Sequence, residues 1–98
     1  MPKYLMLWEI DPNKAPVNPK ERGAAWTSML NMIKQEIKEG NILDWGVCPG
    51  EARGYSISMM PELDMAKFVQ RFYPNVSFKV NQVMTVDQTL ELAESLSG

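Results

Sequence analysis

The chain has 98 residues, with ten basic, twelve acidic and no histidine side chains, and a single cysteine. This length corresponds to one domain over residues 1–98, and 45% hydrophobic with 22% charged residues indicates a folded globular chain. The net charge of -2 and the pI near 5.0 argue against nucleic acid as a partner. Neither a signal peptide nor a membrane-spanning segment is predicted, and one cysteine cannot form an internal disulfide. We therefore expect a cytoplasmic protein that does not bind membranes.

A first strand is predicted over Lys3–Ile10. Its two alternating sets of positions are both largely apolar, with Leu5 and Leu7 in one set and Tyr4, Met6, Trp8 and Ile10 in the other. Such a pattern is typical of a strand that is covered on both faces. The three prolines that follow, at positions 12, 16 and 19, predict a loop because proline fits neither a helix interior nor a central strand.

The strongest predicted helix is Lys20–Glu39. Its apolar residues recur at steps of three and four and form one stripe that should face the core. The residues of this stripe are Trp26, Leu30, Ile33 and Ile37. Gly40 follows at once, and glycine is the residue expected where a helix ends in the left-handed conformation.

The rest of the chain contains three further strands and two further helices. The predicted elements are a hairpin of strands Asn41–Cys48 and Tyr55–Met59, a helix Pro61–Tyr73, and a strand from Val76 to Met84 with a bulge at Gln82–Val83. Thr85 and Gln88 then fit a capping box, which predicts a short terminal helix with Leu90, Ala93 and Leu96 on one side.

This order of elements predicts an α+β fold, a ferredoxin-like βαββαβ sandwich with a four-stranded antiparallel sheet plus a short C-terminal helix. Two helices cover only one face of such a sheet. Since the first strand is apolar on both sides, the second face must also be covered, and a second copy of the chain packed sheet on sheet is the simplest cover.

The element order, the size, the apolar second face and the trailing segment resemble the dimeric α+β barrel superfamily of small ferredoxin-like proteins. The resemblance covers nearly the whole chain and rests on pattern rather than on a diagnostic motif. It implies a homodimer. The superfamily includes cofactor-free monooxygenases, haem-degrading enzymes, lactone isomerases and members of no known activity, so the resemblance leaves the chemistry open.

No metal site and no cofactor are expected. Without histidine and with one cysteine, a single chain cannot assemble the usual zinc, copper or iron ligand sets. Haem chemistry normally needs an imidazole on the iron, which this chain cannot supply.

The candidates for general acid–base catalysis are Glu9 and Asp44, which parity places on a mixed face of the sheet together with Ser56, Ser58 and Lys79. Neighbouring tryptophans would desolvate such a carboxylate and raise its pKa, so that it could act as a base near neutral pH. With such a base, the resemblance implies a cofactor-independent monooxygenase or isomerase acting on an aromatic or polyketide-like compound. In the commoner structural alternative, Glu9 ends a strand in solvent and Asp44 pairs with a basic neighbour. Whether the protein is an enzyme is left open.

The aromatic residues and methionines indicate a cavity for a small hydrophobic ligand, with Trp8, Trp45 and Tyr55 as the lining residues. The alternative is that they only fill the core. Cys48 is expected to be a small buried or half-buried residue rather than a nucleophile. The segment from Arg53 to Ile57 matches the start of an RNA-recognition strand, but the acidic pI makes this a coincidence.

Overall fold

The computed structural model describes residues 2–98. The predicted element order is confirmed: the chain is an α+β protein with three helices and one four-stranded antiparallel sheet. The elements are β1 (Lys3–Ile10), α1 (Pro19–Lys38), β2 (Ile42–Val47), β3 (Arg53–Met59), α2 (Glu62–Gln70), β4 (Val76–Val83) and α3 (Val86–Ser97).

The strands lie in the order β2-β3-β1-β4, which is compatible with a ferredoxin-like sheet. β1 is a central strand that pairs antiparallel with both β3 and β4, whereas β2 and β4 form the two edges. This central position pairs both edges of β1, whereas the cover of its two faces depends on what packs above and below the sheet.

The strand register defines two faces of the sheet. The covered face, which α1 and α2 overlie, carries Tyr4, Met6, Trp8 and Ile10 of β1, with Gly54, Ser56 and Ser58 opposite them on β3. The open face carries Leu5 and Leu7 of β1 and Tyr55, Ile57 and Met59 of β3. No helix among residues 2–98 covers the open face with buried side chains.

The expectation that Ser56 and Ser58 share a face with Glu9 is wrong. Both serines are buried on the covered face, where their hydroxyls lie 3.1 Å apart and Ser58 donates a hydrogen bond to the sulfur of Met6. Small side chains are needed at this point because large rings from β1 and β2 lie across β3. A Cβ on Gly54 would come within 2.5 Å of the Trp8 ring.

The first helix begins at a cap that the sequence analysis did not identify. The Asn18 side chain accepts hydrogen bonds from two free amides of the first turn, and Pro19 takes the first helical position. At the other end Gly40 has φ +82°, as expected of a residue that follows a helix end. The predicted inner stripe is only half-buried, and Ile37 does not belong to it because its side chain is 44% exposed.

The second helix is shorter than predicted and holds the densest part of the core. It places Met65 and Phe68 against the sheet, and Phe72 follows in the turn after its last residue. Phe68 makes edge contacts with Phe72 and Phe78, with ring centroids 5.1 and 6.3 Å apart. This aromatic group joins α2 to β4.

The bulge predicted at Gln82–Val83 is wrong, because β4 keeps a continuous register with β1 up to Val83. The irregularity lies in β2 instead, between Ile42 and Asp44. The capping box of α3 is confirmed: the Thr85 hydroxyl accepts from the Gln88 amide, and the Gln88 side chain accepts from the Thr85 amide.

Candidate ligand-binding site

A small cavity lies between the covered face and the two helices. The volume of this cavity is about 30 Å³. Ser56 is the one polar side chain among its lining residues, which are Trp8, Ile10, Trp45, Ser56, Val76 and Phe78 from the sheet side and Trp26, Met29, Leu30, Ile33, Phe68 and Phe72 from the helix side. A cavity of this kind is suited to apolar surface rather than to water.

Two stacked indoles form one wall of the cavity. The rings of Trp8 and Trp45 are nearly parallel, at an interplanar angle of 9° and a centroid distance of 5.4 Å. They reach each other across β3 because their partners on that strand are the small residues Gly54 and Ser56. The Trp8 ring nitrogen donates to the Tyr55 carbonyl at 3.3 Å, so its polar atom is satisfied and its faces stay available for packing.

The third residue of the predicted set lies elsewhere. Tyr55 projects from the open face, where its ring crosses Gly46 so closely that a Cβ there would come within 2.5 Å of the ring. Its hydroxyl donates to the Asp44 carboxylate at 2.7 Å, and this hydrogen bond, more than partial burial or the negative charge, raises the pKa of Tyr55. The structure therefore brings Trp8 and Trp45 together and separates them from Tyr55.

The two carboxylates proposed as bases do not reach the cavity. Glu9 and Asp44 are both exposed on the open face. Asp44 accepts hydrogen bonds from the Trp45 backbone amide and from the Tyr55 hydroxyl, so its neighbour is a tyrosine rather than the basic residue that was expected. Glu9 lies opposite Arg53 on β3 and Ser77 on β4, at the end of its strand.

Other candidate groups carry less chemistry. Among residues 2–98, no group of three or more Cys, Asp or Glu side chains is arranged to hold a metal ion. Cys48 is exposed, contrary to expectation, because β2 ends at Val47 and the thiol stands in the turn to β3. Over residues 2–98, Tyr55 is the one aromatic residue on the open face of the sheet. RNA-recognition sheets stack two or three bases on their aromatic side chains, so this face does not fit that pattern.

Sequence reasoning missed part of the site and one buried polar group. Ile10 and Val76, a cross-strand pair at the end of the sheet, line the cavity floor, and their positions follow from Trp8 and Phe78 by strand alternation. Within residues 2–98, the Tyr4 hydroxyl is buried without a hydrogen-bond partner. Burial raises the pKa of Tyr4, and the nearby charge of Glu62 adds to this.

Within residues 2–98, no helix is long and apolar enough to cross a membrane. In comparisons with known proteins, no family model matches the chain and no curated protein matches it either. The resemblance to the dimeric α+β barrel superfamily therefore rests on element order, sheet and size, and the cavity and the open face are the surfaces from which a function has to be inferred.

Proposed function

We propose that the protein binds a small, flat, apolar molecule against the Trp8–Trp45 stack, and that it does so as a homodimer of ferredoxin-like subunits in an α+β barrel. The observation that carries the binding proposal is the pair of stacked indoles in a cavity with one polar lining side chain. Ligand sites are concave, mostly apolar and rich in aromatic side chains, with few polar groups.

The cavity has to widen to admit a ring, since a cavity of about 150 Å³ is what binds benzene in a protein core. Helix α1 is the wall that can move. None of its residues is buried, and it is joined to the sheet by a proline-containing loop at one end and Gly40 at the other. A ligand that lifts α1 gains the faces of Trp8 and Trp45 and replaces the half-buried α1 side chains that now line the cavity.

The binding proposal is tested with 1-naphthol as the probe, followed by NMR of the three tryptophan indole N–H signals. We expect saturable shifts of the Trp8 and Trp45 signals with a Kd on the order of 1 mM or tighter, from about 0.4 kcal/mol for each of the probe's non-hydrogen atoms. Trp45→Ala should weaken binding at least about 10-fold.

The matched control is Leu43→Ala, since Leu43 lies on the same strand, is exposed and does not line the cavity. Circular dichroism of both variants confirms that the fold is kept. Equal binding by the Trp45→Ala and Leu43→Ala variants, or Trp8 and Trp45 indole signals that do not shift as the probe is added, would show that the cavity is not the site.

The homodimer is proposed from the open face. Its apolar strip, defined as Leu5, Leu7, Tyr55, Ile57, Met59 and Val83, runs over three adjacent strands, and Leu7 at one end of it is 45% exposed. A continuous apolar patch on a sheet is typical of an interface, and a two-fold axis lets the same patch cover itself.

Sedimentation equilibrium tests the dimer. We expect two chains per particle, and we expect Leu7→Glu to give a folded monomer because it places a charge at the most exposed leucine of the strip. Val17→Glu is the control, since Val17 is an exposed apolar residue in the loop before α1. A monomeric wild-type chain at the highest concentration reached would refute the homodimer.

The cofactor-independent monooxygenase or isomerase reaction would need a base beside the bound molecule. Glu9 and Asp44 lie on the opposite face of the sheet from the cavity. For this reason we propose binding rather than catalysis by these carboxylates.

A further inference from the structure

The terminal helix α3 has no cover among residues 2–98. Every one of its twelve residues is exposed, and Leu96 is 82% exposed. Isolated helices of about 12 to 15 residues are marginal in water, and most helical stability in proteins comes from packing of an apolar side. We therefore expect α3 to be stabilised by packing of its apolar side on a surface outside its own protomer.

The surface of α3 has two distinct sides. At 100° per residue, Val86, Leu90 and Ala93 fall within an arc of about 60°, and Leu92 and Leu96 extend it on one flank. On the other flank the acidic residues Asp87, Glu91 and Glu94 follow each other at steps of four and three, so they form one row. The helix carries no basic residue to balance them.

A complementary surface lies along the edge strand β4 of the open face. This β4 rim is defined as Lys79, Asn81 and Val83 of β4 together with Lys3, the β1 residue that pairs with Val83. Its two lysines lie beside the apolar strip. Lys3 pairs with Val83, four residues beyond Lys79, which separates the two lysines by about 13 Å at 3.3 Å per strand residue. The acidic row of α3 spans about 10.5 Å at 1.5 Å per helix residue, so row and rim match in length and in charge.

The helix does not lie on its own rim. The molecule measures 61 × 25 × 20 Å, and its radius of gyration of 16.2 Å exceeds the value of about 12.6 Å for a compact chain of this length. Only two residues, Met84 and Thr85, separate β4 from α3, and the exposed helix extends away from the sheet. A contact between α3 and a β4 rim would therefore need the rim of another molecule.

The area of the interface supports the same partner. Four strands at 4.8 Å spacing and about seven residues in length give the open face about 440 Å², roughly half of the 800 Å² that each partner buries in a stable complex. α3 is about 18 Å long and about 10 Å wide, or about 180 Å². The rim that receives an arm is already counted in the open face, so in a two-fold dimer each arm adds its area once and brings the total to about 620 Å² per protomer, closer to that of a stable complex.

We propose that α3 is an arm exchanged between two copies of this chain. Each α3 lies along the β4 rim of the partner protomer, with its apolar side on the sheet edge and its acidic row facing Lys3 and Lys79. This inference rests on the proposed homodimer and names the element that completes its interface.

The test is a charge swap read by sedimentation equilibrium of the full chain at low salt. The arm variant is Asp87→Lys with Glu91→Lys and Glu94→Lys, and the rim variant is Lys3→Glu with Lys79→Glu. We expect each variant to weaken the dimer at least about 10-fold, and the chain that carries both sets to return to within about 3-fold of wild type. Added salt should shrink these differences because exposed charges are screened.

Two controls keep the outcome specific. Lys34→Glu with Lys38→Glu changes two exposed lysines of α1 and should leave the dimer unchanged. Leu90→Ser with Leu96→Ser removes apolar area from the arm without any charge change, and it should weaken the dimer about 100-fold. All arm residues are exposed, and none packs in the core, so these variants keep the fold of the sheet.

The results separate the two proposals. If the wild-type chain is a dimer and both arm variants dimerise equally well, α3 is not part of the interface, whereas the sheet-on-sheet dimer stands. If the arm variant and the rim variant each weaken the dimer but the chain that carries both sets does not regain the affinity of the wild type, the contact between the acidic row and the rim is refuted. If the wild-type chain is a monomer, both the homodimer and the exchanged arm are refuted.

Discussion

The two faces of the sheet are built from one set of strands but by different rules. On the covered face, large side chains of β1 such as Met6 and Trp8 meet small residues of β3, and the space between the strands and α2 is filled with aromatic rings. On the open face, residues of intermediate size such as Leu5 and Ile57 lie side by side, with charged residues around them. The first face is packed in depth, and the second is a flat surface of the kind that meets another surface.

The difference shows that the amount of apolar surface does not decide which face becomes the core. Tyr55, Ile57 and Met59 are larger and more apolar than Ser56 and Ser58, yet the serines are buried. What decides is volume across strands, since the indole of Trp8 occupies the space above β3. A core is fitted jointly by neighbouring strands rather than by each strand alone.

The largest effect is expected for Phe68→Ala on the covered face. Phe68 is buried and contacts two other aromatic rings, so its removal leaves a cavity and should lower the free energy of unfolding by about 3 to 5 kcal/mol. Urea denaturation followed by far-UV circular dichroism measures the loss. Leu63→Ala, on the same helix but 65% exposed, should change the free energy by less than about 0.5 kcal/mol. Similar losses in the two variants would contradict the assignment of the core to this face.

A smaller but still large effect is expected for Gly54→Ala. The added Cβ would clash with the backbone carbonyl oxygen of Gly46 and would come within 2.5 Å of the Trp8 ring. The shift of β2 and of the ring should cost at least about 1 to 3 kcal/mol of unfolding free energy and open the Trp8–Trp45 stack. Near-UV circular dichroism reports the stack, and urea denaturation reports the stability.

Gly23→Ala is the matched control for this change. Gly23 lies within α1 with no atom near its would-be Cβ, so alanine there should stabilise the protein by about 0.5 to 1 kcal/mol. A tolerated Gly54→Ala would mean that small residues on β3 are not what accommodates the tryptophans.

Much of the fold was predictable from the sequence because its signals are local. The alternation in β1, the capping box at Thr85 and the glycine that follows α1 each depend on a few neighbouring residues, and each is confirmed. The site was predictable only in part. Trp8 and Trp45 were identified as lining residues by type, but the side to which Tyr55 turns depends on the pairing of β3 with β1 and β2. Pairing between distant strands has no local signature.

The next prediction concerns the contact between the two helices that close the cavity. The Glu36 side chain on α1 is 13% exposed, accepts a hydrogen bond from Asn41 at 2.9 Å and pairs with Arg71, which follows α2, at 3.4 Å. Glu36→Gln removes the charge and should lower the free energy of unfolding by about 1 kcal/mol, with half-exposed Arg71 limiting the loss. The exposed Glu39→Gln should have almost no effect in the same urea titration. An unchanged Glu36→Gln variant would show that the pair does not hold α1.

The smallest expected effect concerns the pKa values of two tyrosines, one on each face of the sheet. The pKa values of Tyr4 and Tyr55 are both raised above 10.0, the first mainly by burial on the covered face and the second mainly by the hydrogen bond to Asp44 on the open face. A raised pKa in the folded state means that these groups contribute full stability below pH 10.0, and that this contribution falls as the pH rises above 10.0. Asp44→Asn should lower the pKa of Tyr55, leave Tyr4 unchanged and make the alkaline loss of stability smaller. Carbon NMR of the tyrosine rings resolves the two titrations, and a shift of Tyr4 together with Tyr55 would mean that the two faces are electrostatically linked rather than independent.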